Sequence, residues 1–292
     1  MPHYKRALTQ AGSKFLERVR ELPNRQAILQ REYDRLRDKL IAETPGNPAV
    51  SGYKVYSQFD EDGIIAEIFS RIGEGGRTFI EIGCSDGLEN NTHTLLLKGW
   101  HGAWIDADAS KVDFVKRQIP DSYSLLVTRE FVSPENVSSM VSRTLEHFKT
   151  DDLDFLSIDI DGDDLNVLRT LVTKIRPRVI CAEYNAKFPP PMRIAARPAA
   201  NAAWGGDDYQ GASLCCFVEM LDDFGYKLVA CGLSGVNAFF INKDDADKFA
   251  DYTAQQLFQP ARYHFRRFAS GHPPTLKFLA DALSVEKKDA LE

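Results

Sequence analysis

Apolar residues recur at helical spacing through the first forty residues of the chain. Steps of three and four positions, with one seven-residue gap around Pro23, join a single stripe of Phe15, Val19, Leu22, Leu29, Tyr33, Leu36 and Leu40. This period predicts a helix over residues 4–43, which the proline kinks or divides. The helix either lies on its own domain or serves as a dimer helix that makes the protein a homo-oligomer.

The run Thr44-Pro45-Gly46-Asn47-Pro48 ends this pattern, as clusters of turn residues do at boundaries. We therefore expect a helical extension over residues 1–50 and a second domain over residues 51–292.

Beyond residue 55, short apolar runs alternate with helical patterns. Strands are predicted at 78–82, 103–105, 124–127, 155–158 and 178–182, and helices at 64–72, 94–98 and 165–175. Ser57 is the predicted N-cap of the first of these helices. Strands separated by helices indicate a parallel sheet that is covered on both faces.

The last strands of the sheet are joined differently. A helix at 213–223 precedes a strand at 227–231, and a strand at 237–241 follows after only five residues. A parallel crossover takes about a dozen residues or more, so this pair must form an antiparallel hairpin. An α/β fold with a mostly parallel sheet and an antiparallel terminal hairpin has the layout of class I methyltransferases. Closing helices are predicted at 245–258 and 274–288.

The connection over residues 186–210 is longer than most loops in compact domains. It is a candidate substrate loop, with a surface excursion as the alternative. Arg193 and Arg197 within it are expected either to meet an anionic substrate or to remain solvated.

The composition excludes several classes of protein. Hydrophobic residues make up 43% of the chain and charged residues 27%, and the net charge is −6. General nucleic-acid binding needs a basic surface and is not expected. No apolar run approaches the ~18–20 residues of a membrane span, and no secretory signal is seen at the start. We expect a cytoplasmic protein without a membrane partner.

The five cysteines lack metal-site spacing and are expected to be reduced.

The strongest motif is FIEIGCSDG at residues 79–87, at the end of the first predicted strand. Gly83 and Gly87 allow a sharp turn and close approach to a ligand, and ligands of α/β sheets bind at this edge. Carboxylates cluster here and at the end of the second strand, at Glu81, Asp86, Glu89, Asp106 and Asp108. They would repel a pyrophosphate but suit the sulfonium, ammonium and ribose of S-adenosylmethionine. An NAD-dependent enzyme is disfavoured, since GxGxxG is absent.

Several residues around this motif have candidate roles. The cofactor is expected over residues 83–87, which include Ser85, with its ribose hydroxyls on Asp106 or on the rival Asp108. Glu130 and Phe131 are candidates for the adenine, the alternative being a surface Glu beside a core Phe. Asn90 either caps a helix or contacts the methionine part of the cofactor. His93 is either a base or a buried helix residue.

A second group of carboxylates leaves the fourth strand at Asp159 and Asp161, and the fifth strand ends in Glu183 and Asn185. Asp159, Glu183 and Asn185 form an oxygen set that suits Mg²⁺ or a similar cation. The alternatives are that Asp159 or Asp161 is a general base towards a hydroxyl, or that these side chains bind a polyol. Asp163 and Asp164 are expected to be charges at a helix N-terminus.

YSQFDEDG at 56–63, EIGCSDG at 81–87 with ENNT at 89–92, GAWID at 102–106 and SIDIDG at 157–162 together resemble the FkbM-type S-adenosylmethionine-dependent methyltransferases. The resemblance implies a seven-stranded class I fold and O-methylation of sugars or natural-product hydroxyls. It also implies that Ser57 and Gln58 lie near the cofactor.

The sequence thus predicts an S-adenosylmethionine-dependent O-methyltransferase that acts on a sugar, a glycan or a natural-product-like small molecule. A non-catalytic binding or scaffolding protein with the same fold is the alternative.

Overall fold

The computed structural model describes residues 26–197, 205–267 and 272–289. Its strands form a seven-stranded sheet in the order β3-β2-β1-β4-β5-β7-β6. The strands are β1 (Thr78–Ile82), β2 (His101–Asp106), β3 (Leu125–Arg129), β4 (Phe155–Ile158), β5 (Val179–Glu183), β6 (Tyr226–Cys231) and β7 (Asn237–Asn242). The first five are parallel, and β7 runs antiparallel to both β5 and β6. This is the predicted class I methyltransferase fold, and the antiparallel hairpin is confirmed.

Two apolar cores lie on the two faces of the sheet, because side chains alternate along each strand. Phe79 of β1 and Phe155 of β4 belong to one core, whereas Ile80 and Leu156 belong to the other. Both cores consist of fully buried residues. The resulting three layers hold the carboxyl ends of β1, β2 and β4 at one edge of the sheet.

The helices cover both faces. They are α1 (described over 26–43), α2 (Glu61–Ile72), α3 (His93–Leu97), α4 (Ala109–Gln118), α5 (Val137–Phe148), α6 (Asp164–Val172), α7 (Leu214–Asp223), α8 (Ala254–Leu257) and α9 (Lys277–Asp289). The cores place α1, α2, α3, α4 and α9 on one face and α5, α6 and α7 on the other. The sequence interpretation had not identified α4 and α5, although Val137, Val141 and Leu145 have helical spacing.

Helix α1 packs on the core of the sheet. Leu29, Tyr33 and Leu40 are buried in it. The ring of Tyr33 meets Phe59 edge-on at 5.6 Å between centroids, and its hydroxyl donates a hydrogen bond of 2.6 Å to the Gly52 carbonyl. The described helix therefore lies on its own chain. The predicted stripe before residue 26 and the kink at Pro23 lie outside the described residues.

The closing segments agree with the prediction only in part. Helix α9 matches the predicted helix at 274–288, but 245–258 contains a 3-10 helix at Lys243–Lys248 and the single turn α8. All five cysteines are free. None of the helices in the described parts of the chain has both the length and the apolar character that crossing a bilayer requires.

Candidate functional site

A crevice of about 930 Å³ opens at the carboxyl ends of β1, β2 and β4. This volume lies within the range of ~300–1,000 Å³ that is usual for ligand pockets. The lining of the described chain carries one amine, Lys111, and nine carboxylates, namely Glu81, Asp86, Glu89, Asp106, Glu130, Glu135, Asp159, Asp161 and Asp163. The crevice therefore has a strong negative charge, which favours a cationic ligand.

The glycine loop after β1 is shaped by its neighbours in the fold. Gly83 and Gly87 have φ values of 86° and 78°, a region that L side chains rarely adopt. A Cβ at Gly83 would lie 1.7 Å from the carbonyl oxygen of Asp159, and one at Gly87 would lie 2.7 Å from the Trp104 ring. The sharp turn predicted at both glycines is confirmed, and packing inside the protein is a further reason for glycine at each position. Gly83 lines the crevice and Gly87 does not.

Asp106 ends β2 and reaches across to the glycine loop. Its Oδ2 accepts the backbone N–H of Ser85 at 2.7 Å, and its Oδ1 accepts that of Asp108 at 2.8 Å. Each oxygen keeps a further lone pair for a ligand hydroxyl. Asp108 is instead the N-cap of α4, accepts the N–H of Ser110 at 2.8 Å, and lies outside the crevice lining. Asp106 therefore lies on the crevice, whereas Asp108 lies at the start of α4 outside it.

Glu81 is buried at the end of β1 and organises the start of α3. Its carboxylate accepts the N–H groups of Asn91 at 2.9 Å and Thr92 at 3.1 Å, together with the Thr92 hydroxyl. Burial raises the pKa of Glu81 to about 7, although these hydrogen bonds lower it. The Trp104 indole donates to the same hydroxyl at 2.7 Å. Glu81 thus borders the crevice and also fixes the segment that follows the loop.

Asn90 lines the crevice while being almost fully buried. Its Nδ2 has no hydrogen-bond partner within the described residues. Buried amides of this kind normally have a hydrogen-bond partner, so this Nδ2 at the crevice wall is unusual.

Glu130 and Phe131 follow β3 and also line the crevice. Glu130 forms an ion pair with Arg143 at 2.9 Å. Phe131 is 46% exposed, so the alternative of a core Phe is wrong, and its ring is accessible to a ligand.

A second cluster, the acid cluster of Asp159, Asp161 and Glu183, lies beyond β4 and β5. One carboxylate oxygen from each comes within 4.8 Å of the others. Burial, and then the neighbouring charge of Asp159, raise the pKa of Glu183 well above its usual value. Asp161 has a φ of 54°, so the chain turns sharply where this carboxylate enters the cluster.

Asp164 at the start of α6 supports that turn. It accepts the N–H groups of Ile160 at 2.8 Å and Gly162 at 3.1 Å, and burial raises its pKa to about 7. The sequence predicts that Asp164 is a charge at the N-terminus of the helix. In the structure, its oxygens also accept the N–H groups of the turn that carries Asp161.

Asn185 lies next to the acid cluster in sequence but its carboxamide has other partners. Its Nδ2 donates to the carbonyls of Asp208 and Gln210, each at 3.0 Å, and its Oδ1 accepts the Lys187 N–H at 3.2 Å. The predicted cation set included Asn185, whose carboxamide has these other partners, whereas the Asp161 carboxylate lies close to those of Asp159 and Glu183.

His93 is withdrawn from the crevice. It is fully buried, its Nδ1–H donates to the Gly87 carbonyl at 3.1 Å, and it stacks on Tyr56 with centroids 3.6 Å apart. Burial lowers the pKa of His93 to about 4. The alternative of a buried helix residue therefore describes His93, which is removed from the candidate bases.

Gln58 lines the crevice, whereas Ser57 does not. Ser57 is fully buried and its hydroxyl donates to Asp62 Oδ2 at 2.8 Å. The predicted N-cap at Ser57 is also wrong, because α2 begins at Glu61 and Asp60 holds the cap position.

The long connection after β5 has a single β-bridge, Ala195 to Ala212, in its described part. Arg193 pairs with Glu219 at 2.5 Å and Lys187 pairs with Asp208. Arg193 is thus solvent-exposed, as one of the two sequence expectations had it, and pairs with an acidic residue of the same chain.

Comparison with known proteins identifies no family model that matches the chain and no curated protein that matches its sequence. Solved structures do match. An S-adenosylmethionine-dependent methyltransferase from Listeria monocytogenes is 9% identical, with 57% of this chain and 91% of that one covered and a TM-score of 0.37. CalS10 of Micromonospora echinaspora, an amino pentose methyltransferase, is 10% identical, with 64% and 92% covered and a TM-score of 0.39. The glycopeptide N-methyltransferase MtfA is 14% identical, with 62% and 86% covered and a TM-score of 0.38. These likenesses concern the fold alone.

Proposed function

We propose that this protein is an S-adenosylmethionine-dependent O-methyltransferase of the FkbM type. The observation that supports the proposal most directly is the charge of the crevice, where nine carboxylates face one amine at the carboxyl ends of parallel strands. A sulfonium with an ammonium group fits such a surface, whereas the pyrophosphate of a nicotinamide cofactor would be repelled.

The chain offers a partner for three parts of this cofactor, namely the ribose, the adenine and the carboxylate. Asp106 presents two oxygens to a ribose diol while the Ser85 and Asp108 N–H groups hold it in place. The exposed ring of Phe131 offers a face for the adenine. The Nδ2 of Asn90 is a buried donor for the carboxylate of the methionine part. When bound, S-adenosylmethionine supplies an electrophilic methyl group on a positively charged sulfur.

The acid cluster is the proposed acceptor site. Its carboxylates accept hydrogen bonds, so they suit a compound rich in hydroxyls, such as a sugar, a glycan or a natural product. Burial and the neighbouring charge of Asp159 raise the pKa of Glu183, and Glu183 is the proposed partner that holds a proton beside Asp159. Asp159 is then the base that accepts the proton of the acceptor hydroxyl. The remaining acceleration comes from holding both reactants in line.

Mg²⁺ or a similar cation is the alternative way to relieve the repulsion in this cluster. Three carboxylates from Asp159, Asp161 and Glu183 are the hard oxygen ligands that Mg²⁺ prefers. A bound cation would lower the pKa of the acceptor hydroxyl, and the residues present fit either function.

The test is calorimetric titration with S-adenosylmethionine and with NAD. We expect binding of the first only, and we expect Asp106→Asn to weaken it about tenfold or more, since a charge-assisted hydrogen bond contributes ~1.5–3 kcal/mol. Asp108→Asn is the matched control, because Asp108 caps a helix outside the crevice. Equal loss in both variants, or no heat from the wild type, would refute the proposal. Binding without turnover of any hydroxylated acceptor would favour the scaffolding alternative.

A further inference from the structure

Residues 53–59, the strap, precede α2 and contact the segment that follows the glycine loop. Lys54 lies 3.7 Å from Glu89 in an ion pair, and Tyr56 stacks on His93 at 3.6 Å between centroids. The strap brings one residue, Gln58, into the crevice lining. The contacts that hold the strap in this position therefore determine where Gln58 lies in the crevice.

One carboxylate in the first turn of α2 anchors the strap. Asp62 Oδ2 accepts three successive backbone N–H groups, from Val55 at 2.7 Å and from Tyr56 and Ser57 at 2.8 Å each. The Ser57 hydroxyl donates to the same oxygen at 2.8 Å. The other oxygen, Oδ1, accepts the Thr94 hydroxyl of α3 at 2.5 Å. Asp62 thus joins the strap, α2 and α3 through a single side chain.

The residues on either side of Gln58 are held as well. The Gln58 carbonyl accepts a hydrogen bond from the Lys54 ammonium at 2.9 Å. The N–H of Phe59, the next residue, donates to Glu61 Oε2 at 2.8 Å. The second oxygen of Glu61 accepts the amide of Asn237 at 2.9 Å, and Asn237 is itself a crevice residue. The backbone at Gln58 is therefore fixed from both directions.

Three consecutive carboxylates are buried where α2 begins. Asp60, Glu61 and Asp62 are consecutive carboxylates that are 1%, 0% and 4% exposed, and buried charges are unfavourable unless they are fully hydrogen-bonded. An ordinary helix start needs no such run, since one exposed cap suffices.

We propose that Asp62 is a positioning residue, which fixes the strap so that the Gln58 side chain contacts the bound cofactor. The inference rests on the proposed function, since the contact is with S-adenosylmethionine. Asp62 itself does not touch the cofactor. Its effect passes through the position of Gln58, and this distinguishes it from a residue that only stabilises the fold.

A double-mutant cycle measures that dependence. Asp62→Ala and Gln58→Ala are each expected to raise the Kd for S-adenosylmethionine about tenfold, as the loss of one hydrogen bond does. The double variant is expected to bind no more weakly than the weaker single variant, because coupled residues are not additive. Asp62→Asn keeps an oxygen acceptor for the three N–H groups and is expected to restore most of the affinity. If Asp62→Ala fails to fold, Ser57→Ala, which removes one hydrogen bond to Asp62 Oδ2, replaces it in the cycle.

Hydrogen exchange of the protein without ligand supplies a second readout. Asp62→Ala is expected to lose protection at the amides of residues 55–57. Glu67→Ala, on the same helix and paired with Arg71, is the matched control and is expected to keep both protection and affinity. An additive, roughly hundredfold loss in the double variant, or unchanged binding in Asp62→Ala, would overturn the inference alone. A silent wild-type titration would overturn the proposed function and this inference with it.

Discussion

Glu81 makes the stability of the fold depend on pH near neutrality. Burial raises the pKa of this carboxyl from 4.5 to about 7, so between these values the folded protein holds a proton that the unfolded chain releases. Stability is therefore full below pH 4.5 and falls as the pH rises towards 7. At ~1.36 kcal/mol per unit of pKa, the contribution lost is about 3 kcal/mol.

The assay is chemical unfolding of the wild type and of Glu81→Gln at several pH values between 5 and 8. We expect the wild type to lose stability over this range, and we expect the slope in Glu81→Gln to be smaller by about 1.4 kcal/mol per pH unit below pH 7. Glu89→Gln is the control, because Glu89 is an exposed carboxyl on the rim of the same crevice. Equal slopes in the wild type and Glu81→Gln would refute the reasoning.

Three further outcomes are expected. Gly83→Ala would place a Cβ 1.7 Å from a backbone oxygen, whereas Gly99, which also has a positive φ, of 78°, has open space around its Cβ position. Gly83→Ala should therefore unfold at a markedly lower Tm than Gly99→Ala, and similar Tm values would contradict this. Arg178→Met removes the ion-pair partner that lies 3.1 Å from the buried carboxylate of Asp154. The free energy of unfolding should fall by about 3 kcal/mol in chemical unfolding, and a loss below about 1 kcal/mol would count against the ion pair. Methyl transfer should withstand EDTA if Glu183 shares a proton in the acid cluster, whereas loss with EDTA and rescue by Mg²⁺ would establish the cation instead.

The sheet could be predicted because each buried strand carries its own apolar run and the short final connection allows only one pairing. Helix α4 escaped prediction because only Val112 and Val115 are buried in it. The segment 245–258 was predicted as a helix, but only α8 has a capped turn there, at Thr253.

The site was predictable where a carboxylate directly ends a strand, as at Asp106, since the strand fixes its location. The sequence alone does not distinguish Asp108, two residues later, from Asp106, because it does not show that Asp108 is the N-cap of α4. The partners of Asn185 depend on the loop after β5, and those of His93, the first residue of α3, depend on how that helix packs. The run Asp60–Asp62 has the composition of an exposed helix start, and no sequence signal distinguishes it from a buried anchor.

The position of β7 inside the sheet has a consequence for synthesis. Since β7 is the last strand among the described residues and pairs with both β5 and β6, both of these strands lack this partner until residue 242 has left the ribosome. Until then β5 presents an apolar open edge, and such edges recruit other chains. We expect nascent chains stalled before Asn237 to aggregate or to bind chaperones. The full chain, which also supplies the core residues Phe265, Leu276 and Leu279, is expected to fold.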